Sequence, residues 1–174
     1  MVRAIFPGTF DPIHYGHIDI ANRASRLFDE LIIAVYDKPL KNLLFAPETR
    51  FELVKKCFNN DKKIKVVGYN NLTVEFCAQQ NAQVIVRGLR VFSDFEHEFR
   101  MALANKRLNK EIEVIALITS EQHTFLSSTT VREIAALGGD VSTMVPLHVE
   151  EALKSEIQTI AESKRLDQHT SLRD

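Results

Sequence analysis

The chain has 174 residues, enough for one domain that buries a core of its own. A hydrophobic share of 45% and a charged share of 26% exclude a disordered or fibrous chain. Twenty-two Lys and Arg against 23 Asp and Glu leave a net charge of −1, so no global basic field is available to gather nucleic acid.

Short apolar or β-branched runs occur at Arg3–Phe6, Leu31–Tyr36, Ile64–Tyr69, Val84–Arg87 and Val114–Ile118. They are too short for helices and lack a polar face, so they read as buried strands. Helical periods lie between them. Ile20, Ala21, Ala24, Leu27 and Phe28 line one face of the first helix, and Phe95, Phe99, Ala102 and Leu103 follow the i, i+4, i+7, i+8 pattern in a later one. Strands alternating with helices imply right-handed crossovers, hence a single-domain, doubly wound α/β fold with five parallel strands covered on both faces. Two C-terminal helices follow, one from about Thr130 to Leu137, stopped by Gly138 and Gly139, and one from about Val149 to Ser163. The domain is expected to span 1–163, with 164–174 as a flexible tail. Cys57 and Cys77 have no C-x-x-C spacing and read as small buried hydrophobes in a reducing compartment. The first strand breaks at Pro7, too early for a signal peptide, and no apolar run approaches bilayer length, so a cytoplasmic location without membrane partners is expected.

A doubly wound sheet binds its ligands beyond the carboxyl ends of its strands. Glycine and proline are scarce, six and five, yet Pro7, Gly8, Pro12 and Gly16 crowd into the segment after the first strand. Gly16 removes bulk where a backbone approaches a ligand, and His14 and His17 lie three apart where His17 opens a helix. A helix N-terminus with its unpaired amides and positive dipole end suits phosphate. Neither G-x-x-x-x-G-K-[ST] nor G-x-G-x-x-G occurs, which removes the main support for a P-loop NTPase or a nicotinamide dehydrogenase. Asp94, Glu96, His97 and Glu98 could suggest a metal site, but Ser93 and Glu96 fit a capping box, the reading preferred here; Thr130 and Glu133 fit another. Arg87 and Arg90 can be read as phosphate ligands or as surface ion pairs, and Lys41 as a ligand or a solvated loop lysine.

Gly8-Thr9-Phe10-Asp11-Pro12 followed by His14-Tyr15-Gly16-His17 resembles the G-T-F-D-P-x-H-x-G-H signature of the nucleotidyltransferase superfamily. Leu126-Ser127-Ser128-Thr129-Thr130-Val131-Arg132 resembles its second motif, I-S-S-T-x-x-R. Arg87-Gly88-Leu89-Arg90 with Asp94, Glu96 and Glu98, Lys41 after the second strand and Asn71–Phe76 after the third are similar to the phosphopantetheine adenylyltransferase branch. The resemblance covers roughly residues 3 to 160. It implies transfer of AMP from ATP to 4′-phosphopantetheine, Mg²⁺ held mainly by ATP phosphates, and a homohexamer. It also implies that His17, Lys41 and Arg90 serve catalysis and that Thr9, Lys41, Thr73 and Arg87 meet the acceptor. ATP contacts are implied at Thr9, Phe10, His17, Gly88, Leu89, Arg90, Glu98 and the run His123, Thr124, Phe125, Leu126, Ser127, Ser128 and Thr129. Two positions depart from the branch's usual pattern: His14 stands where Thr is common, and His123 where Trp is frequent.

Overall fold

The computed structural model describes residues 1–38 and 43–170. Five parallel strands, β1 (Arg3–Gly8), β2 (Glu30–Tyr36), β3 (Ile64–Tyr69), β4 (Val84–Leu89) and β5 (Glu113–Ile118), lie in the order β3-β2-β1-β4-β5. The connections carry α1 (Tyr15–Leu27), α2 (Pro47–Phe58), α3 (Thr73–Gln79) and α4 (Phe92–Leu108); α5 (Ser128–Ala136) and α6 (Leu147–Thr170) follow. The doubly wound five-stranded fold expected from the alternating pattern is the one observed.

Alternation along the strands builds two cores. Ala4 and Phe6 of β1 and Leu31, Ile33 and Val35 of β2 face one core with Ile20, Ala21 and Ala24 of α1 and Val149 and Leu153 of α6. Ile5, Ile32 and Ala34 face the other with Val74, Phe76 and Cys77 of α3. Each fully buried aliphatic side chain contributes about 1.5–3 kcal/mol, which fixes the register, because a one-residue slip would move both sets to the wrong face.

The topology also opens the site. β1 aligns with β2 over six pairs from Arg3↔Glu30 to Gly8↔Val35, but with β4 only at Ala4↔Val84 and Ile5↔Ile85. Beyond that point the strands part, and the connections leaving β1 and β4 run to opposite faces. The Pro7 carbonyl, on the parted stretch, accepts from the Arg87 side chain at 2.9 Å.

Several local expectations are corrected. α1 begins at Tyr15 with His14 as N-cap, so His17 is its third residue and not its first. Leu27 is 63% exposed, although its neighbours Ala24 and Phe28 are buried. α4 starts at Phe92 after Val91 with no side-chain cap, and the cap of α5 is Ser127, whose hydroxyl oxygen accepts from the Thr130 amide at 3.0 Å; neither proposed capping box caps its helix. α6 runs on to Thr170, past Ser163. β5 is an edge strand and mostly exposed, and on α4 Phe95, Phe99 and Leu103 are 50%, 51% and 57% exposed. Periodicity identifies an apolar face but not whether its partner belongs to the same chain. Cys77 is buried and Cys57 half-buried, its Sγ 3.6 Å from Nε2 of His148; burial pushes both thiols up to about 12, so neither is a nucleophile near neutral pH.

Candidate active site

Where β1 and β4 part, a cleft of about 330 Å³ is lined by Thr9, Phe10 and His17 from the β1–α1 connection, Arg87, Gly88 and Arg90 from the end of β4, and Ser127 and Ser128 from the start of α5. The loop after β1 is shaped by its glycines. Phe10 adopts a left-handed backbone (φ 49°) and tucks its ring under Gly8, where a Cβ would lie 2.9 Å from it. At Gly16 a Cβ would lie 3.0 Å from the His14 ring, so this glycine makes room for a histidine, whereas the sequence suggested room for a ligand.

That space lets His14 stack on His17 with ring centroids 3.7 Å apart, while Phe10 packs edge-on against His17 at 5.0 Å. The His14 amide donates to Nδ1 of His17 at 3.3 Å. Nδ1 is therefore the acceptor nitrogen, and in the neutral ring the proton resides on Nε2. Burial is the largest cause holding the His17 pKa well below the usual imidazole value, reinforced by His14, Arg90 and Arg87. His14 is pushed down to about 3 by burial first, then by Arg90 and His123. Both rings are neutral at physiological pH, and His17 is a fixed N–H donor.

The arginines share one arrangement. Arg87 forks onto Glu98 through Nε and Nη2, both at 2.6 Å, and its Nη1 donates to the Pro7 carbonyl. Arg90 forks onto Asp94 at 3.0 and 3.1 Å, and its Nη1 donates to the Leu126 carbonyl at 2.7 Å. A guanidinium carries five N–H groups, so these bonds leave each arginine with donors for an incoming oxyanion. Burial raises the Asp94 pKa, but hydrogen bonds and charge from Arg90 outweigh it and bring the carboxyl below its ordinary value. Asp94 and Glu98 lie one turn apart on α4, so one helix orients both arginines. The ion-pair reading and the ligand reading of Arg87 and Arg90 are thus compatible.

The two signature motifs are tied together. Ser128 Oγ donates to the Pro12 carbonyl at 2.9 Å, and Arg132 reaches both the carbonyl and, at 3.3 Å, the carboxylate of Asp11. The Ser127 and Ser128 hydroxyls are therefore engaged within the chain, and with the Thr130 amide taken by Ser127, α5 offers the amides of Ser128 and Thr129, which a helix leaves without intrahelical partners. Among the other anticipated residues, Glu98 lines the cleft as the partner of Arg87. Leu89 closes β4 and its carbonyl accepts from Thr119; Leu126 is fully buried and contributes its carbonyl. His123 lies beside Tyr15 with near-parallel rings 6.4 Å apart, Thr124 bonds back to the Ser120 carbonyl, and Phe125 and Thr129 are exposed outside the cleft lining. Thr73 lies in an adjoining recess of about 100 Å³ that shares Pro7, Arg87 and Glu98 with the cleft, and its hydroxyl pairs with Tyr69 at 3.0 Å. Lys41 falls outside the described residues. The sequence reading assigned no role to Asp11 or Arg132, although both stand inside the quoted motifs, and it carried no signal for the buried Arg50. Among the described residues no group of three or more His, Cys, Asp or Glu could hold a metal ion.

Comparison with known proteins places the chain. A phosphopantetheine adenylyltransferase of Roseiflexus sp. (strain RS-1) is 49% identical over 154 residues, covering 88% of this chain and 96% of that one. The chain belongs to the phosphopantetheine adenylyltransferase family. A second phosphopantetheine adenylyltransferase, from Herpetosiphon aurantiacus, is 46% identical over 164 residues, with 94% and 99% of the two chains covered. The broader family described as Cytidylyltransferase-like matches residues 5–134, which carry both the β1 loop and the start of α5. A crystal structure of a candidate nicotinate-nucleotide adenylyltransferase from Vibrio parahaemolyticus superposes with a TM-score of 0.68 over 90% of this chain and 94% of that one. At 22% identity the likeness shows that the two chains share a fold and no more.

Proposed function

We propose that this protein transfers the adenylyl group of ATP to 4′-phosphopantetheine, giving dephospho-coenzyme A and pyrophosphate. The observation that supports it most directly is the cleft at the parting of β1 and β4, where neutral His17, Arg87, Arg90 and the start of α5 converge. An oxygen of the acceptor phosphate attacks the α-phosphorus of ATP; the bond from that phosphorus to the oxygen bridging to the β-phosphorus breaks, and pyrophosphate leaves with the electron pair. A phosphate monoester has its second pKa near 6, so the nucleophile is already ionised and no general base is needed. Catalysis then rests on bringing two anions into line and stabilising charge on the α-phosphoryl oxygens.

His17 donates Nε2–H to an α-phosphoryl oxygen, fixed in that tautomer by the His14 amide. Arg90 and the first-turn amides of α5 receive ATP phosphates, and Thr9 lies between nucleotide and acceptor. Arg87 and Lys41 neutralise the acceptor phosphate, and the recess containing Thr73 takes the pantetheine arm, which its continuity with the cleft through Arg87 supports. Mg²⁺ travels on the triphosphate and water, a choice supported by the donor set, since Asp94 and Glu98 are each forked by an arginine. The protein works in the cytoplasm as a homohexamer. The exposed Phe92, Phe95 and Phe99 of α4, stacked in series at 6.4 and 5.8 Å, supply an apolar face for subunit contact, and no helix among the described residues is long and apolar enough to cross a membrane.

Pyrophosphate release measured with ATP and, separately, 4′-phosphopantetheine, nicotinate mononucleotide, or glycerol 3-phosphate with CTP tests the assignment. Release with 4′-phosphopantetheine alone is expected, and release with either other acceptor in its place would overturn the assignment.

A further inference from the structure

Two charged side chains lie fully buried beneath the loop after β1, each about 1% exposed: Arg50 of α2 and Asp11. Arg50 does not fork onto a carboxylate. Its Nη1 donates to the Thr9 carbonyl at 2.7 Å and the Tyr36 carbonyl at 2.8 Å, its Nε to the Phe45 carbonyl at 3.3 Å and its Nη2 to the Asp37 carbonyl at 3.4 Å. Asp11 accepts from the Leu44 amide at 2.8 Å and the Phe45 amide at 2.9 Å, and Arg132 holds it from α5. The Phe45 peptide groups are thus gripped from both sides, the N–H by Asp11 and the carbonyl by Arg50.

Burying such charges is costly, and well-packed apolar residues of similar volume often stabilise a core as well or better. What apolar residues cannot supply is direction. The two charges fix carbonyls and amides from three separate stretches: the loop after β1, the carboxyl end of β2, and the entry to α2. Of those stretches the loop after β1 lines the cleft, through Thr9 and Phe10, and the other two hold it from behind through Arg50 and Asp11.

We infer that Arg50 and Asp11 are positioning residues for adenylyl transfer, locking Thr9 in register with Tyr36–Asp37 and Leu44–Phe45 so that the two substrates meet in line. This rests on the functional reading above. Neither side chain touches substrate; they act through the backbone they hold. A misplacement of about 1 Å can lower turnover by roughly 10²-fold, so the clamp is expected to govern kcat more than nucleotide affinity.

The test compares Arg50→Lys, Arg50→Met and Asp11→Asn with the wild-type protein by circular dichroism, thermal unfolding, calorimetric ATP binding without acceptor, and steady-state pyrophosphate release. The expected result is a native spectrum, an ATP Kd within about threefold of wild type, and a kcat lowered by about tenfold or more with a raised KM for 4′-phosphopantetheine. At position 50, turnover should fall in the order Arg, Lys, Met; Met, which leaves the Thr9, Tyr36, Phe45 and Asp37 carbonyls without their donor, should also lower the unfolding temperature. Partial rescue of turnover by Lys, with ATP Kd held while kcat falls and the acceptor KM rises, is a split that a purely architectural residue would not give. Folded variants with wild-type kcat and acceptor KM would overturn the inference, and so would loss of the native fold in all three. Wild-type protein that releases no pyrophosphate with 4′-phosphopantetheine would mark failure of the functional reading instead, separate from a defect seen only in the variants.

Discussion

The His14–His17 stack makes stability depend on pH in a calculable way. His14 is 4% exposed and its pKa is pushed down from 6.5 to about 3. The unfolded chain protonates this ring near its ordinary value while the folded chain keeps it neutral, so below that value the unfolded state binds the extra proton. Stability from this group is therefore full above about pH 6.5 and falls as the pH drops toward about 3. One pKa unit corresponds to about 1.4 kcal/mol, so going from about pH 7.5 to about pH 5 removes roughly 2 kcal/mol through His14 alone. His17 shifts in the same direction and adds to the loss. The assay is urea unfolding at both pH values for the wild type and for His14→Thr. Carboxylates outside the stack contribute alike to both proteins, so the wild type should lose about 2 kcal/mol more than the variant. Relaxation of His17 in the variant would widen that gap. Equal losses in the two proteins would refute the claim that burial keeps His14 neutral.

Other expectations follow from the same geometry. His17→Ala should lower kcat by about 10²-fold or more, as loss of one charge-stabilising donor does; unchanged kcat in stopped-flow or steady-state assays would remove His17 from the mechanism. Lys41→Ala should raise the acceptor KM or lower kcat while calorimetric ATP affinity stays put, and unaltered kinetics would make the lysine a bystander. Gly8→Ala drives a methyl into the Phe10 ring and should destabilise by about 1–3 kcal/mol, read as a lower unfolding temperature; no change would mean that the loop yields freely. Phe95→Glu, on the exposed aromatic row of α4, should shift sedimentation from the proposed hexamer toward smaller species, and a variant that still sediments as a hexamer would place the subunit contact elsewhere.

Much of this protein was legible without coordinates because its signals are local. Strand runs alternating with helical periods impose a parallel sheet, and the five strands stand within a residue or two of where their β-branched runs placed them. The loop holding Gly8, His14, Gly16 and His17 followed from its own composition; the two signature motifs pointed to the nucleotidyltransferase superfamily, and Arg87-Gly88-Leu89-Arg90 with Lys41 and Asn71–Phe76 to its phosphopantetheine adenylyltransferase branch. Tertiary structure decided what depends on neighbours remote in sequence. Arg87 and Arg90 read first as ligands, with ion pairing as the rival, until α4 brought Glu98 and Asp94 against them and made both true. The tautomer of His17 rests on a single backbone amide, and the serine hydroxyls of α5 turned out to be engaged by Thr130 and Pro12. Phe95 and Phe99 carry an apolar period that says nothing about what covers it, and the chain alone leaves them exposed. Arg50 shows the limit most sharply. An arginine on a helix ordinarily faces water, and only the meeting of β1, β2 and the entry to α2 around it, each presenting a carbonyl, makes its burial possible.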